Sequence, residues 1–305
     1  MGTARACHDR PVDDEAFADL VAPHRRELLL HCYRMLGSLT DAEDALQETL
    51  LAAWRGIDGF EGRSSLRTWL YRIATNRCLN ARRRIPPAPV PPFTPPEPSR
   101  RGDVPWLQPF PDALLDGVPD AAPGPEARYQ MREAVGLAFV TGLQRMPPRQ
   151  AATLILRDVL GYSADEVASM LGVTATAVKG LLQRARTAVA DPAPPAPPAG
   201  SPAEVALTDR FSRAFCVRDL PALLDLLTDD AWLAMPPASH EYHGHEAIAA
   251  FLRASTTWRP GPPLRLTATR VNTQPAYVCE LDGAPAGLIV LTLRDNRIGA
   301  LTRFL

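Results

Sequence analysis

The sequence predicts a multidomain chain: two all-α domains followed by an α+β domain. Three observations predict it. Two proline-rich tracts divide the 305 residues, with fourteen prolines in Ile85–Pro125 and six in Asp191–Pro202. The two pieces before and between them carry apolar residues at helical spacing. The last piece passes from an amphipathic helix to strand-like runs separated by turn signals. Proline lacks an amide proton and restricts its neighbour, so neither tract suits a helix or a central strand. Both read as linkers of polyproline character. The expected domains are 13–84, 126–190 and 204–305, with linkers at 85–125 and 191–203. Trp106, Leu107, Phe110, Leu114 and Leu115 in the first linker suggest that part of it docks on something.

In the first piece Phe17, Leu20 and Val21, then Leu28 to Leu30 and Tyr33, recur at helical spacing. Thr40 with Glu43 fits a capping box opening a helix through DAEDALQETLLAAW. Ala45, Leu46, Thr49, Leu50, Ala53 and Trp54 form its expected apolar face, and Gly56 and Gly59 stop it. Ser64 or Ser65 can cap the next helix, with Leu66, Trp69, Leu70, Ile73 and Ala74 inward and Arg63, Arg67, Arg72 and Arg77 mainly toward solvent.

The second piece contains YSADEVASMLGVTATAVKGLLQRAR, a helix–turn–helix rhythm. Ser163 and Glu166 form a capping box, Gly172 and Val173 make the turn, and Thr174 caps the following helix. Val178, Leu181, Leu182 and Ala185 face its core. In the third piece AWLAM, LRLTATRV, AYVCEL, GLIVLTLR and RIGALTRFL read as strands, with Asp295-Asn296 as a hairpin turn. Asp229 and Asp230 read as a cap or turn after the helix.

Hydrophobic residues make up 46% and charged residues 22%, ordinary for a soluble globular protein. Five scattered cysteines without a CxxC pair argue against a disulfide framework or a zinc finger and for a reducing compartment, the cytoplasm. No apolar run approaches the length of a membrane span.

The formal net charge is −1, yet Gly62–Arg84 holds seven arginines and no acid. Without acids inside the stretch, the usual i,i+4 pairing is missing. Trp69 and Tyr71 lie among the arginines, a mixture suited to a phosphate backbone and unstacked bases. Seven phosphate contacts would give a log–log salt dependence of slope roughly −6 on duplex DNA. The preceding helix is the opposite. Asp41, Glu43, Asp44 and Glu48 fall within eight residues with no base among them. The helix dipole accounts for Asp41, Glu43 and Asp44. Glu48 and the apolar Leu50, Leu51 and Trp54 extend beyond it, and a mixed acidic and apolar face suits docking to a protein.

Taken together, DAEDALQETLLAAW, GFEGRSSLRTWLYRIATNRCLNARRR and LQRMPPRQAATLILRDVLGYSADEVASMLGVTATAVKGLLQRAR resemble regions two and four of the extracytoplasmic-function sigma factors of bacterial RNA polymerase. The resemblance covers about half the chain. It implies partners: core RNA polymerase, through its β′ clamp helices and β flap, and promoter DNA. Asp41, Asp44, Gln47, Glu48, Leu51 and Trp54 would dock on polymerase. Phe60, Arg63, Ser64, Arg67, Trp69, Arg72, Asn76, Arg77 and Asn80 would bind the minus-ten element and help part its strands. Thr174, Thr176, Lys179, Gln183 and Arg184 would read the minus-thirty-five element in the major groove. Gly180 and Leu181 depart from the family, which often has a base and a serine there. The two elements lie roughly 25 base pairs apart, or ~85 Å. A flexible 41-residue linker would average only ~35 Å, whereas extended polyproline could reach ~120 Å.

FSRAFCVRDLPALLDLLTDDAWLAMPP, EYHGHEAIAAFL and GLIVLTLRDNRIGALTRFL resemble the SnoaL-like, nuclear-transport-factor-like cone domains. Some sigma factors carry such a domain as a C-terminal extension that contacts the sigma regions and tunes activity. That implies an intramolecular contact and admits a small-molecule ligand. His243 and His245, two apart on a strand, could share a face and suit a metal. With His240, Glu241 and Tyr242 they read instead as a polar strand end leading into a helix at Glu246, with Gly244 at the turn. No catalytic residue, metal or cofactor is assigned. Two rival readings stay open: a ligand-responsive helix–turn–helix repressor, and a cone-fold enzyme fused to a DNA-binding module.

Overall fold

The structure, a computed structural model, describes residues 14–81, 94–101, 107–116, 118, 134–189, 196–258 and 264–304. The first domain is a four-helix bundle: α1 (Asp14–Val21), α2 (Arg25–Leu36), α3 (Leu39–Gly56) and α4 (Leu66–Asn80). Buried Leu28, Ala42, Ala45, Leu46, Leu50, Leu70 and Ala74 fill its centre at the expected helical period. α2 stops at Gly37, whose φ of 73° only glycine adopts without strain. A Cβ there would also meet the Gln144 side chain at 2.9 Å, so the glycine permits a close interdomain approach.

The cap of α3 differs from the expectation. Ser38, not Thr40, holds the extended backbone and accepts from the Asp41 amide at 3.2 Å. Thr40 is already helical, and its amide donates to Gln108 Oε1 at 3.0 Å. Ser65 caps α4 by accepting from the Thr68 amide.

The second domain comprises α5 (Leu137–Arg145), α6 (Pro148–Leu154) running into a wider π turn at Ile155–Val159, α7 (Ala164–Leu171) and α8 (Ala175–Val189). Ser163 and Glu166 close the expected capping box. Gly172 ends α7 at a φ of 64°, and Thr174 accepts from the Ala177 amide to open α8.

The C-terminal domain is an α+β cone. It holds α9 (Pro202–Cys216), α10 (Leu220–Asp225), β2 (Leu227–Met235), β3 (Ala238–His243), α11 (Gly244–Trp258), β4 (Arg265–Val271), β5 (Gln274–Leu281), β6 (Ala284–Arg294) and β7 (Arg297–Phe304). A short strand from the first linker, β1 (Arg100–Arg101), completes a sheet of order β1-β3-β2-β7-β6-β5-β4. β2 and β7 are parallel and the other neighbours antiparallel. All five predicted strand runs are strands. Asp229 and Asp230 are not a turn: they lie in β2, where Asp230 pairs with Arg294 at 2.6 Å and Asp229 with Arg297 at 3.8 Å. Arginines at the two ends of the β6–β7 hairpin turn let these acids sit in a sheet. α9 opens at Pro202, inside the expected second linker, because Ser201 caps it and proline is tolerated at the first helical position.

The first proline tract docks where its apolar residues fall. Phe110 is fully buried and Leu107 nearly so, while Leu114 and Leu115 pack partly against the same core; Trp106 lies outside the described residues. β1 was not anticipated. It adds at the sheet edge, where prolines nearby cost no central hydrogen bond. One continuous apolar cluster spans both helical domains, takes in Leu107 and Phe110, and reaches Val271, Ala276, Val290 and Phe304 on one face of the sheet. The other sheet face has a separate core with α9, α10 and α11.

Candidate nucleic-acid and partner interface

The outer face of α3 is open. Asp44, Gln47 and Glu48 are exposed, and Asp41 is half-buried. Beside them Leu51 and Trp54 stand 53% and 44% exposed, high for such large apolar groups. Trp54 was expected on the core side; Ala53 and Leu50 take that place, and Trp54 falls just past the buried arc.

α4 presents a groove of about 530 Å³ along α3, lined by Trp69, Arg72, Asn76, Arg77 and Asn80. Gly56 forms part of its wall, and a Cβ there would touch the Trp69 ring at 3.4 Å. Phe60, half-buried in the preceding loop, lies against Trp69 with ring centroids 5.1 Å apart. Arg63, Ser64, Arg72, Asn76, Arg77 and Asn80 are exposed. Arg82, Arg83 and Arg84 lie outside the described residues. Arg63 has an acid partner just before the basic stretch, Glu61 at 3.2 Å. The cation–aromatic arrangement fits a backbone of phosphates with an unstacked base.

Two expectations fail here. Arg67 is half-buried rather than mainly toward solvent: it is held at 2.8 Å by Glu27, a buried acid of α2. Its guanidinium lies over the Tyr71 ring at 4.7 Å and reaches the Tyr162 hydroxyl, in the second domain, at 3.4 Å. Tyr71 is 1% exposed and donates to Glu27, so it is core rather than a surface for bases. A second interdomain contact runs from Asn76 Nδ2 to the Met170 carbonyl of α7 at 3.4 Å. Glu27 escaped sequence reading because its partner lies forty residues away; its one available signal is a single acid inside the apolar run ELLLHCY.

On α8 and at its cap, Thr174, Thr176, Lys179, Gln183 and Arg184 are all exposed. Val178, Leu182 and Ala185 are buried, while Leu181 is only half-buried. Arg186 is anchored by both oxygens of Asp158.

Polar groups fasten the domains together. Arg34, fully buried, donates to the Ala134 carbonyl at 3.1 Å, and burial lowers its pKa to about 10. Gln144 donates to the Arg34 carbonyl at 3.1 Å. The densest knot is Asn272, wholly buried at the tip of the β4–β5 hairpin. Asn272 and Thr273 have φ of 52° and 61°, the left-handed pair of a two-residue hairpin turn, which asparagine tolerates well. Asn272 Nδ2 donates to the Tyr33 hydroxyl and the Val135 carbonyl, and its Oδ1 accepts from the Phe110 amide at 2.8 Å. One side chain thus joins the cone to α2, the linker and the second helical domain.

The cone histidines do not gather. His243 ends β3 and stacks on Trp232, with centroids 4.3 Å apart, while His245 lies in α11 and bonds to the Thr228 carbonyl. The strand ends between them, so they do not share a strand face. Among the described residues no group of His, Cys, Asp or Glu is placed to hold a metal. No described helix is long and apolar enough to cross a membrane. Cys32, Cys78, Cys216 and Cys279 are in no disulfide; Cys7 lies outside the described residues.

A family model described as sigma-70 region 2 matches residues 20–85, and one described as sigma-70, region 4 matches residues 137–189. The ECF RNA polymerase sigma factor SigG of Mycobacterium tuberculosis is 41% identical over 313 residues, spanning 97% of this chain and 83% of its own length. SigM of the same organism is 32% identical over 180 residues, 58% of this chain and 77% of its own length. The crystal structure of the M. tuberculosis extracytoplasmic function sigma factor SigJ shares the fold, with a TM-score of 0.60 at 23% identity over 94% of this chain and 95% of that one. Both helical domains are matched in order, and the likeness to SigG runs on through the cone. This chain therefore belongs to the extracytoplasmic-function RNA polymerase sigma factors, with a C-terminal α+β extension.

Proposed function

We propose that this sigma factor docks on core RNA polymerase through α3, holds the minus-ten element with α4, and reads the minus-thirty-five element with α8, and that the compact chain is a closed form. The observation that carries this reading is the exposure of Asp44, Gln47, Glu48, Leu51 and Trp54 beside a cationic groove that the second helical domain partly covers. The acidic, apolar-edged face suits a protein partner. Arg72 and Arg77 suit phosphates, and the Phe60–Trp69 pair suits stacking with a displaced base. Thr176, Lys179, Gln183 and Arg184 project from a helix of the right kind for a major groove.

Length supports the closed form. A folded chain of 305 residues has a radius of gyration of ~19 Å and spans roughly 50 Å. Two promoter elements roughly 25 base pairs apart are separated by ~85 Å. The domains must therefore part before both elements are engaged, and the Asn272 knot is the joint to be released. The cone acts as a regulatory body rather than an enzyme, and the site of action is the cytoplasm, with the polymerase. Its cavity supports binding over turnover: among the described residues lining it there is no Asp, Glu or His to move a proton.

The test is binding of the purified chain to bacterial core RNA polymerase beside an Asp44→Arg/Glu48→Arg variant. Binding lost in the variant supports docking through α3. Equal binding by both moves the interface elsewhere. Absence of binding by the full chain and by the Asn272→Ala variant overturns docking through α3.

A further inference from the structure

The cone has an open-mouthed cavity of about 340 Å³ between α9, α10, α11 and the inner sheet face. That is within the usual size of small-molecule sites. Its body is apolar, built on buried Phe211, Phe251, Leu264 and Ile289. Its charged groups have one sign. Arg218, Arg253 and Arg303 line it, and among the described lining residues there is no acid. Arg218 sits at the α9–α10 turn with a φ of 58°, Arg253 is exposed on α11, and Arg303 buries its Nε on β7. Like charges around a low-dielectric chamber focus a field that attracts an anion. Guanidinium forks match a carboxylate. Ser255 is the one uncharged polar side chain among the described lining residues, so a sugar or nucleotide would lose more hydrogen bonds than it regained.

We propose that this cavity is a receptor site for an amphipathic monocarboxylate, with an aliphatic body in the apolar chamber and its carboxylate on the arginines. Strand alternation connects the site to the helical domains. On β6, Ile289 lines the chamber while Val290 packs in the core shared with the helices. On β7, Arg303 lines the chamber and Phe304 packs in the shared core. A ligand that shifts β6 and β7 therefore shifts the joint. This link rests on the regulatory reading of the cone; the site itself does not.

The experiment is calorimetric titration of the full chain with decanoate, and with 1-decanol and decyltrimethylammonium as uncharged and cationic probes of equal chain length. Saturable binding of one decanoate per chain is expected, with the cation at least tenfold weaker. Arg303→Gln should weaken decanoate about tenfold and leave decanol unchanged. Arg253→Glu, at an exposed position, gives the same reading if Arg303→Gln does not fold. Equal affinity for anion and cation, no saturable decanoate binding, or decanoate affinity untouched in the Arg253→Glu variant would overturn the site. Promoter-directed transcription with and without decanoate tests the link. Unchanged transcription with binding intact sinks the regulatory link and leaves the site; absent binding sinks the site and leaves the regulatory reading.

Discussion

α3 and α4 are neighbours in one bundle, and their outer faces are in opposite states. α3 offers acids, Leu51 and Trp54 to solvent. α4 offers arginines, but Arg67 is tied to Glu27 and meets Tyr162, and Asn76 meets Met170. A charge pattern thus tells what kind of partner a face suits, and not whether the face is free. On the proposed reading, the face suited to polymerase is open in the compact chain and the face suited to DNA is partly covered, with Arg63, Arg72 and Arg77 still exposed, which would favour polymerase before promoter.

The sharpest test of this contrast is charge reversal on the open face. Asp44→Arg/Glu48→Arg should weaken core-polymerase binding by about a hundredfold or more, with an unchanged melting temperature because both positions are exposed. Breaking the joint comes next. Asn272→Ala deprives the Phe110 amide, the Val135 carbonyl and the Tyr33 hydroxyl of their shared partner, at a cost of about 2 kcal/mol. Small-angle scattering should show a larger radius of gyration, and promoter-DNA affinity of the free chain should rise about tenfold while polymerase affinity stays put. A lower melting temperature with unchanged size and DNA affinity would mean that the joint does not govern α4.

Acid should weaken the bundle that carries both faces. His31 is fully buried, bonded to Thr75 at 2.9 Å, and its pKa is lowered to about 3 by burial and then by Arg34 and Arg67. The unfolded state, with a histidine pKa near ~6.5, takes up the proton first. Stability is therefore full above that pH and is lost as pH falls from there toward 3. The loss at pH 5.5 should be about 1 kcal/mol, and a His31→Asn variant should show a flatter acid limb in urea melts. The smallest effect concerns the partial closure of α4. Tyr162→Phe removes the long hydroxyl contact to Arg67 and the hydrogen bond to Thr68, both on α4, and should raise free-chain DNA affinity about twofold. A larger gain would make those contacts, rather than Asn272, the main closure.

Local chemistry determined much of this protein from sequence alone. The capping box at Ser163, the glycine stop at Gly172, the strand runs and the Asp295 turn all depend on residues within a few positions of one another. Backbone dihedrals and near-neighbour hydrogen bonds decide such features. So does the outward rank of Thr176, Lys179, Gln183 and Arg184, which the helical period alone places. The α3 cap was misplaced by two residues because Ser38 and Thr40 are chemically alike and the Gln108 side chain, from the linker, engaged the Thr40 amide.

Tertiary structure decided the rest. Arg67 and Tyr71 look in sequence like their exposed neighbours; Glu27, on another helix, draws both inward. The apolar residues of the proline tract announce docking but not its place: Phe110 finds a pocket bounded by Tyr33, 4.7 Å away between ring centroids, and Asn272. Asn272 itself carries no signal beyond a turn, yet it ties together groups up to 239 residues apart in the chain. A buried charge or amide must find its partners wherever the fold brings them, and sequence spacing holds no record of that meeting.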